Sequence, residues 1–293
     1  MSSAETAVAP SILDLIQSTC ELPTLPDVLV KLQSVMDDPD SSAEDVAQVI
    51  ALDPSIATNI LRIVNSAYYG LQVRVSSVNL AVSIMGFNMT KKVALKAAIF
   101  SAFGDKGKPK QIERFDANAF WRHSIFTAAL ARAIGAESSI FQAVHPEDLY
   151  ICGLLHDIGT IILCDSATEA YKGILERSAR EGVPVADLEL EQLGYTHGDV
   201  GSVLAIKWFL PEDLTIAIRY HEVPDNDPFH RALSSLVCLA DRLAGEAGRP
   251  AVPGLVTKER PASLLEILDL DETKIEGIVA RAEADFAANG LPW

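Results

Sequence analysis

The sequence predicts an all-α protein. Apolar residues recur at intervals of three and four through most of its 293 residues, and no run alternates convincingly between apolar and polar residues. Residues that favour helix starts, and glycines that favour helix ends, separate these segments. With 49% hydrophobic and 22% charged residues, the composition is that of a globular protein of one large or two smaller domains.

The N-terminal half is predicted to consist of short amphipathic helices. Helix boundaries are expected where a polar residue can bond free backbone amides, or where glycine or proline interrupts the pattern. The residues that we expect at these boundaries are Ser41 with Glu44 in capping-box spacing, Asp53 before Pro54, Gly70, Ser77 and Gly86. The helices are predicted at residues 24–36, 44–52, from 54 towards Gly70, 78–85 and 91–103.

The second half is also predicted to be helical, after a linker at residues 104–112 whose lysines are interpreted as a solvated surface loop. Asp116 is expected to begin the first helix of this half and Gly135 to end it. Further starts are predicted at Pro146, Thr196 and Pro211, and acidic residues near each suit the positive end of the helix dipole. The helical segments are LYICGLLHDIG, VGSVLAIKWF, LTIAIRYHE and SSLVCLADRLAGEAG.

Charge and composition argue against several classes of function. A formal net charge of -16 disfavours nucleic acid as a partner, because such binding depends on neutralising phosphate. The sequence has no uninterrupted run of about 18 apolar residues, so no membrane span is predicted. Residues 1–11 do not resemble a signal peptide. The four cysteines form no C-x-x-C pair and are interpreted as reduced, mostly buried thiols of a cytoplasmic protein.

Histidines and acids in apolar helical surroundings are the candidate functional residues. The stretch LLHDIG places His156 and Asp157 after an apolar run, where burial requires a partner for each. Imidazole and carboxylate suit Zn, Fe and Mn, and one carboxylate can bridge two ions in a phosphoester-cleaving site. Taken singly, the residues also fit structural roles, such as an Asp241–Arg242 ion pair or a helix cap by Asp157. The candidate set is His123, His156, Asp157, His197, His221 and Asp241.

Longer segments carry a more specific pattern. In the N-terminal half they are ELPTLPDVLVKLQ, LDPSIATNILRIVNSAYYG and SSVNLAVSIMGF. In the second half they are FWRHSIFTAALARAIG, LYICGLLHDIGTIIL and GYTHGDVGSVLAIKWFLPEDLTIAIRYHEVP. Over roughly residues 20–245 these segments resemble the HDOD family, the HD-related output domain of bacterial signalling proteins. The order His123, His156-Asp157, Asp241 also resembles the H…HD…D pattern of the HD superfamily of metal-dependent phosphohydrolases.

The resemblance implies an N-terminal helical subdomain packed on an HD-like helical core, in a signalling protein that acts as a regulatory output or interaction module. Its partner would be a signalling protein or a nucleotide or other phosphoester ligand, with the oligomeric state left open. The implied domains are a lead-in at 1–19, the N-terminal helical half at 20–104, the metal-site half at 113–245 and a C-terminal helical extension at 246–293. The implied ligands are His123, His156, Asp157 and Asp241 for one divalent ion (Fe, Mn or Zn), and His197 and His221, with Asp157 as bridge, for a second.

The sequence departs from the related HD-GYP phosphodiesterases around His221. Those enzymes follow a His-His-Glu stretch with a Gly-Tyr-Pro motif that contributes to cyclic di-GMP hydrolysis, whereas this chain reads RYHEVPDNDPFH. The departure argues against cyclic di-GMP as the substrate. Lys207, Arg219 and Arg242 are interpreted either as contacts for a phosphate or as solvated surface charges, and no catalytic acid is assigned. The alternative to a regulatory module is an active phosphohydrolase on a nucleotide or other phosphoester.

Overall fold

We describe the fold from a computed structural model, in which residues 11–12, 15, 27–52, 54–65, 69–103, 115–208 and 210–289 are described. Helices dominate these residues and no strand occurs among them, which confirms the all-α prediction. The α-helices are α1 (Asp27–Met36), α2 (Ala43–Ile50), α3 (Pro54–Val64), α4 (Val78–Phe103), α5 (Ala117–Glu137), α6 (Pro146–Leu155), α7 (Ile158–Ser166), α8 (Thr168–Glu181), α9 (Val185–Leu193), α10 (His197–Lys207), α11 (Glu212–Tyr220), α12 (Arg231–Glu246), α13 (Ser263–Ile267) and α14 (Glu272–Asn289). Short 3₁₀ helices lie at Ser139–Phe141 and Pro224–Asn226.

The chain divides into two compact units, Glu21–Lys108 and the remainder of the sequence. Helices α1 to α4 bury one apolar core in the first unit. Asn65 supports the turn after α3, because its side chain exchanges hydrogen bonds with the backbone of Val75, each at 2.7 Å. The predicted linker at 104–112 and the predicted cap Asp53 lie outside the described residues.

The capping box of α2 lies one residue later than predicted. Ser42 and Asp45 form it, each side chain accepting a hydrogen bond from the other's backbone N–H. The predicted pair, Ser41 and Glu44, has the same spacing. However, the backbone N–H of Ser41 donates to the Asp38 carbonyl in the preceding turn. Ser41 therefore belongs to that turn, and the helix begins after Ser42.

Two glycines were expected to end helices, with different outcomes. Gly86 has φ 75° and ψ 164°, so the first helical stretch of α4 ends there, as predicted, and a second stretch follows it to Phe103. Gly135 lies within α5, which continues to Glu137. A Cβ at position 135 would lie 2.1 Å from Cδ1 of Leu149, so glycine allows the close approach of α6 here.

Helices of the second unit converge on a buried region. α5 lies against α6, α12 and α14, whereas α10 lies against α7 and α11. The segment Pro146–Ser166, which includes α6 and α7, has the length and mean hydropathy to cross a membrane, but 89% of the tested window is buried inside the protein. The burial of this segment against neighbouring helices accounts for its apolar composition.

Candidate metal centre

The second unit brings all six predicted site residues together. They come from the middle of α5, the junction of α6 and α7, the start of α10, the end of α11 and the middle of α12. None of the six is more than 8% exposed, so each ionisable group needs a compensating partner. The residues are His123, His156, Asp157, His197, His221 and Asp241.

Four donor atoms form the first group, which we call the first position. Nε2 of His123 lies 3.1 Å from Nε2 of His156 and 3.3 Å from Oδ1 of Asp241. Oδ2 of Asp157 lies 3.3 Å from Nε2 of His156. Nε2 of His123 lies 3.6 Å from Oδ2 of Asp157, and Nε2 of His156 lies 3.8 Å from Oδ1 of Asp241. Ligands that bind one ion at about 2.0–2.2 Å lie roughly 3–4 Å from one another, so His123, His156 and Asp157 have the spacing of a metal site, with Asp241 beside them.

Three donor atoms form the second group, the second position. Oδ1 of Asp157 lies 3.2 Å from Nε2 of His197 and 3.3 Å from Nε2 of His221. The two imidazole nitrogens are 3.2 Å apart. Asp157 occupies the N-cap position of α7, as considered from the sequence, but its side chain makes no capping bond. Its two oxygens face the two groups instead, which is the arrangement of a bridging carboxylate.

The opposite ring nitrogen of each histidine donates a hydrogen bond to an oxygen that carries no proton. A proton on every Nδ1 leaves a lone pair on every Nε2, and these lone pairs face each other within each group. A cation between them converts the repulsion into attraction, so the donor set fits a metal ion. The acceptors are the Arg249 carbonyl for His123 (2.7 Å), the Gly153 carbonyl for His156 (2.8 Å), the Glu189 carboxylate for His197 (2.7 Å) and the Ile218 carbonyl for His221 (2.7 Å).

The pKa shifts describe the charge balance of this cluster when protons alone compensate the carboxylates. Burial lowers the pKa of His123 despite the opposing charge of Asp241. Burial also disfavours charged His156, but Asp157 and Asp241 outweigh it and raise its pKa to about 10. Burial opposes the ionised form of Asp157, yet the neighbouring histidines, His156 foremost, hold its pKa well below the usual value. The carboxylates thus stay ionised and attract a positive charge to the cluster.

The cations considered as phosphate contacts have different environments. Arg242 is buried and donates to Oδ2 of Asp241 at 2.8 Å and to Glu222 at 2.6 Å. It is therefore an internal cation that holds the Asp241 oxygen turned away from the first position, and its interpretation as a surface charge is wrong. Lys207 and Arg219 are exposed, and Arg219 forms an ion pair with a carboxylate of α10.

Three glycines allow the helices that carry the second position to approach closely. A Cβ on Gly159, the last residue of LLHDIG, would lie 1.9 Å from the carbonyl oxygen of His197. A Cβ on Gly198 would lie 2.8 Å from the Arg219 carbonyl, and one on Gly201 would lie 2.9 Å from a methyl group of α11. Backbones can approach this closely only where side chains are absent, so these glycines place α7, α10 and α11 around the cluster.

Sequence analysis missed Glu189, which is fully buried beside the second position. Besides the His197 ring, its carboxylate accepts the backbone N–H of His197 at 2.8 Å and the Tyr171 hydroxyl at 3.0 Å. Burial disfavours the charged form of His197. The negative charges of Glu189 and Asp157 outweigh this effect and raise the pKa of His197 well above the usual value. The sequence does contain a signal that Glu189 is buried, because Glu189 shares a helix face with the buried residues Ala186 and Leu193 of α9.

The chain is similar in sequence to a known protein and in fold to solved structures. A curated, uncharacterised protein of Treponema pallidum (strain Nichols) is 29% identical over 257 residues, which cover 85% of this chain but 47% of that protein. The chain thus spans about half the length of this relative.

The structure of an HDOD domain protein of unknown function from Geobacter sulfurreducens matches with 23% identity and a TM-score of 0.67, covering 94% of this chain and 92% of that one. A structure described as a candidate signal transduction protein from Marinobacter aquaeolei VT8 matches with 26% identity and a TM-score of 0.68, covering 94% and 60%. The sequence model of the HDOD domain matches residues 22–224, so the chain belongs to the HDOD domain family, as its motifs predicted.

Proposed function

We propose that this protein is a metal-dependent phosphohydrolase that binds two divalent ions and acts on a nucleotide or another phosphoester. The observation that carries the proposal is the clustering of buried donor atoms into two groups that share Asp157, with Asp241 beside the first group. Imidazole and carboxylate donors suit Fe, Mn and Zn. Two such ions, when bound, neutralise phosphate charge and activate water for attack on phosphorus.

The protein's own residues define how such a centre would be organised. Asp157 fixes the relation between the two positions, because one oxygen faces each. The first position has four protein donors among the described residues and the second has three. Fewer protein donors leave more open coordination sites, so the second position is the more accessible one for a substrate oxygen or water.

The test begins with protein purified without chelators or a metal-binding tag. Metal content is measured after loading with Mn²⁺, Fe²⁺ or Zn²⁺, and turnover is followed with bis(p-nitrophenyl) phosphate and a panel of nucleotides. We expect about two equivalents of metal and measurable hydrolysis, both lost in Asp157→Ala. His230→Gln is the matched control, because His230 is an exposed histidine in a polar segment before α12. Cyclic di-GMP is expected to remain intact.

Two results would contradict the proposal in different ways. Wild-type protein that is folded but takes up none of the three metals would exclude the metal centre. Fully loaded protein that hydrolyses no phosphoester in the panel would exclude the hydrolase while leaving the metal centre in place. The second outcome would favour a regulatory role.

A regulatory output module is the second candidate function, with the metal centre as a structural or sensory element. It is favoured by the likeness to the Marinobacter protein described as a signal transduction candidate, of which this chain covers 60%. The missing Gly-Tyr-Pro motif after His221 agrees with it. In this role a helical surface would bind a signalling protein. Cross-linking and pull-down from a bacterial lysate should then recover the same partner with wild type and with Asp157→Ala. Robust phosphoester turnover without any such partner would contradict this role.

A further inference from the structure

The turn after α12 has a defined backbone geometry. The N–H of Gly248 donates to the Gly245 carbonyl, and the N–H of Arg249 donates to the Ala244 carbonyl, each at 2.9 Å. Gly248 has φ 76°, the left-handed conformation that this pattern requires. These are the two hydrogen bonds of a Schellman motif, which satisfies the free carbonyls at a helix end. The motif fixes the position of Arg249 relative to α12, the helix that carries Asp241.

The carbonyl of Arg249 is the hydrogen-bond acceptor that orients His123. His123 Nδ1 donates to it at 2.7 Å, while Nε2 faces the first position. His123 lies in the middle of α5, where the helix's own carbonyls accept intrahelical bonds. A carbonyl from elsewhere in the fold must therefore fix the ring orientation and the tautomer.

The side chain of Arg249 is held by the C-terminal helix. Its guanidinium makes two hydrogen bonds with the Glu283 carboxylate, at 2.6 and 3.0 Å. It also lies over the rings of Phe126, at 4.3 Å, and Phe286, at 5.3 Å from the ring centroids. Glu283 and Phe286 belong to α14, and Phe126 is one helical turn from His123 on α5. Paired guanidinium–carboxylate bonds and ring stacking both restrict the geometry of the arginine.

We propose that α14 and the turn after α12 are positioning elements of the first position, with Arg249 as the positioning residue. α14 clamps the Arg249 side chain, the Schellman motif sets its backbone, and its carbonyl holds the His123 ring with Nε2 towards the metal. The inference rests on the proposed metal centre. The functional unit therefore extends through α14, well beyond residues 22–224 that match the HDOD domain.

Two substitutions perturb Arg249 from opposite ends without removing a ligand. Glu283→Ala releases the guanidinium. Gly248→Ala strains the turn at φ 76°, although the added Cβ would meet nothing within 4 Å. Each has a matched control. Arg281→Ala removes an α14 ion pair with Glu137, and Gly254→Ala places a Cβ at φ 81° with equally open surroundings.

The protein is stripped of metal and titrated with Co²⁺ in competition with a chelator, while visible absorption reports the coordination of each ion. We expect Glu283→Ala and Gly248→Ala to bind one ion about tenfold more weakly, the lower end of the range for lost outer hydrogen-bond partners. The Co²⁺ spectrum of that ion should change, and the other ion should bind as in wild type. Arg281→Ala and Gly254→Ala should match wild type in both affinity and spectrum.

The controls separate positioning from general destabilisation. Equal weakening in the test and control variants, or wild-type affinity and spectrum in both test variants, would overturn the inference while leaving the metal centre intact. If one test variant fails to fold, the other still decides between these results. Wild-type protein that binds no Co²⁺ would refute the metal centre itself, and this inference with it.

Discussion

Replacing Gly159 with alanine is expected to abolish metal binding at the second position and to leave metal binding at the first intact. The new Cβ would lie 1.9 Å from the carbonyl oxygen of His197 and 2.7 Å from the backbone nitrogen of Gly201. Ordinary contacts between such atoms begin at about 3.4 Å, so α7 and α10 would have to separate locally by about 1.5 Å. Both obstructing atoms belong to the backbone of α10, so no side-chain rotation relieves the clash.

This displacement is large compared with what a metal site tolerates. Nε2 of His197 lies 3.2 Å from Oδ1 of Asp157, whereas metal–ligand distances tolerate changes of only about 0.2 Å. The histidines of the first position lie in α5 and directly after α6, whereas the three atoms nearest to the new methyl group all belong to α10. Overpacking of this kind typically costs about 1–3 kcal/mol, and backbone obstruction places this case at the upper end. For a unit of this size we expect the Tm to fall by about 6–12 °C.

The assay combines metal content by elemental analysis with Tm by differential scanning calorimetry, on metal-loaded and metal-free protein. Gly159→Ala should retain about one equivalent of metal where wild type holds about two. Gly173→Ala is the control, because this glycine lies on an exposed part of α8 and its Cβ would meet nothing within 4 Å. Alanine there should be neutral or stabilising by about 0.5–1 kcal/mol. Two retained equivalents with a wild-type Tm in Gly159→Ala would refute the reasoning.

Three further predictions follow from the same contacts. Glu189→Gln removes the negative charge beside His197, and metal titration should show the second position weakened by about 10–100-fold; an unchanged affinity would contradict this role for Glu189. Burial raises the pKa of Cys238 to about 12, so its alkylation in the folded protein, followed by mass spectrometry, should stay slow from pH 7 to 9. An increase with a midpoint near 8.5, as for a free thiol, would exclude this environment. Thr196→Ala removes the capping box of α10, and urea unfolding should show a loss of about 1 kcal/mol, whereas no change would mean that the cap is replaced by solvent.

Part of the candidate site is encoded locally and could be predicted from sequence. His156 and His221 each follow the last residue of a helix, and each Nδ1 donates to the carbonyl three residues earlier, that of Gly153 or Ile218. The last carbonyls of a helix lack intrahelical partners, so a histidine at this position finds an acceptor in its own chain segment. An apolar helix that ends in histidine therefore predicts both the burial of the ring and an Nε2 that points away from the helix end.

The other two histidines depend on contacts that the sequence does not reveal. His123 lies in mid-helix and uses the carbonyl of Arg249, 126 residues away, and a backbone carbonyl leaves no trace in the residue type. His197 begins α10, where the free backbone groups are N–H donors, so its ring needs a carboxylate from another helix, Glu189. Helix periodicity and cap residues predicted most of the helices, because these signals are local, but they did not predict α8 and α9. Gly135 was misjudged since its role depends on Leu149 of a neighbouring helix.

These different origins make the two positions chemically unlike. At the first position, Arg242 draws electron density from the Asp241 carboxylate, whose second oxygen accepts its hydrogen bond. At the second, the buried carboxylate of Glu189 makes His197 a stronger donor through the Nδ1 hydrogen bond. The first position thus combines more donors with one weakened carboxylate, and the second combines fewer donors with one strengthened imidazole. The six candidate residues that look alike in the sequence are therefore, in the fold, two groups of donor atoms of different donor strength that share only Asp157.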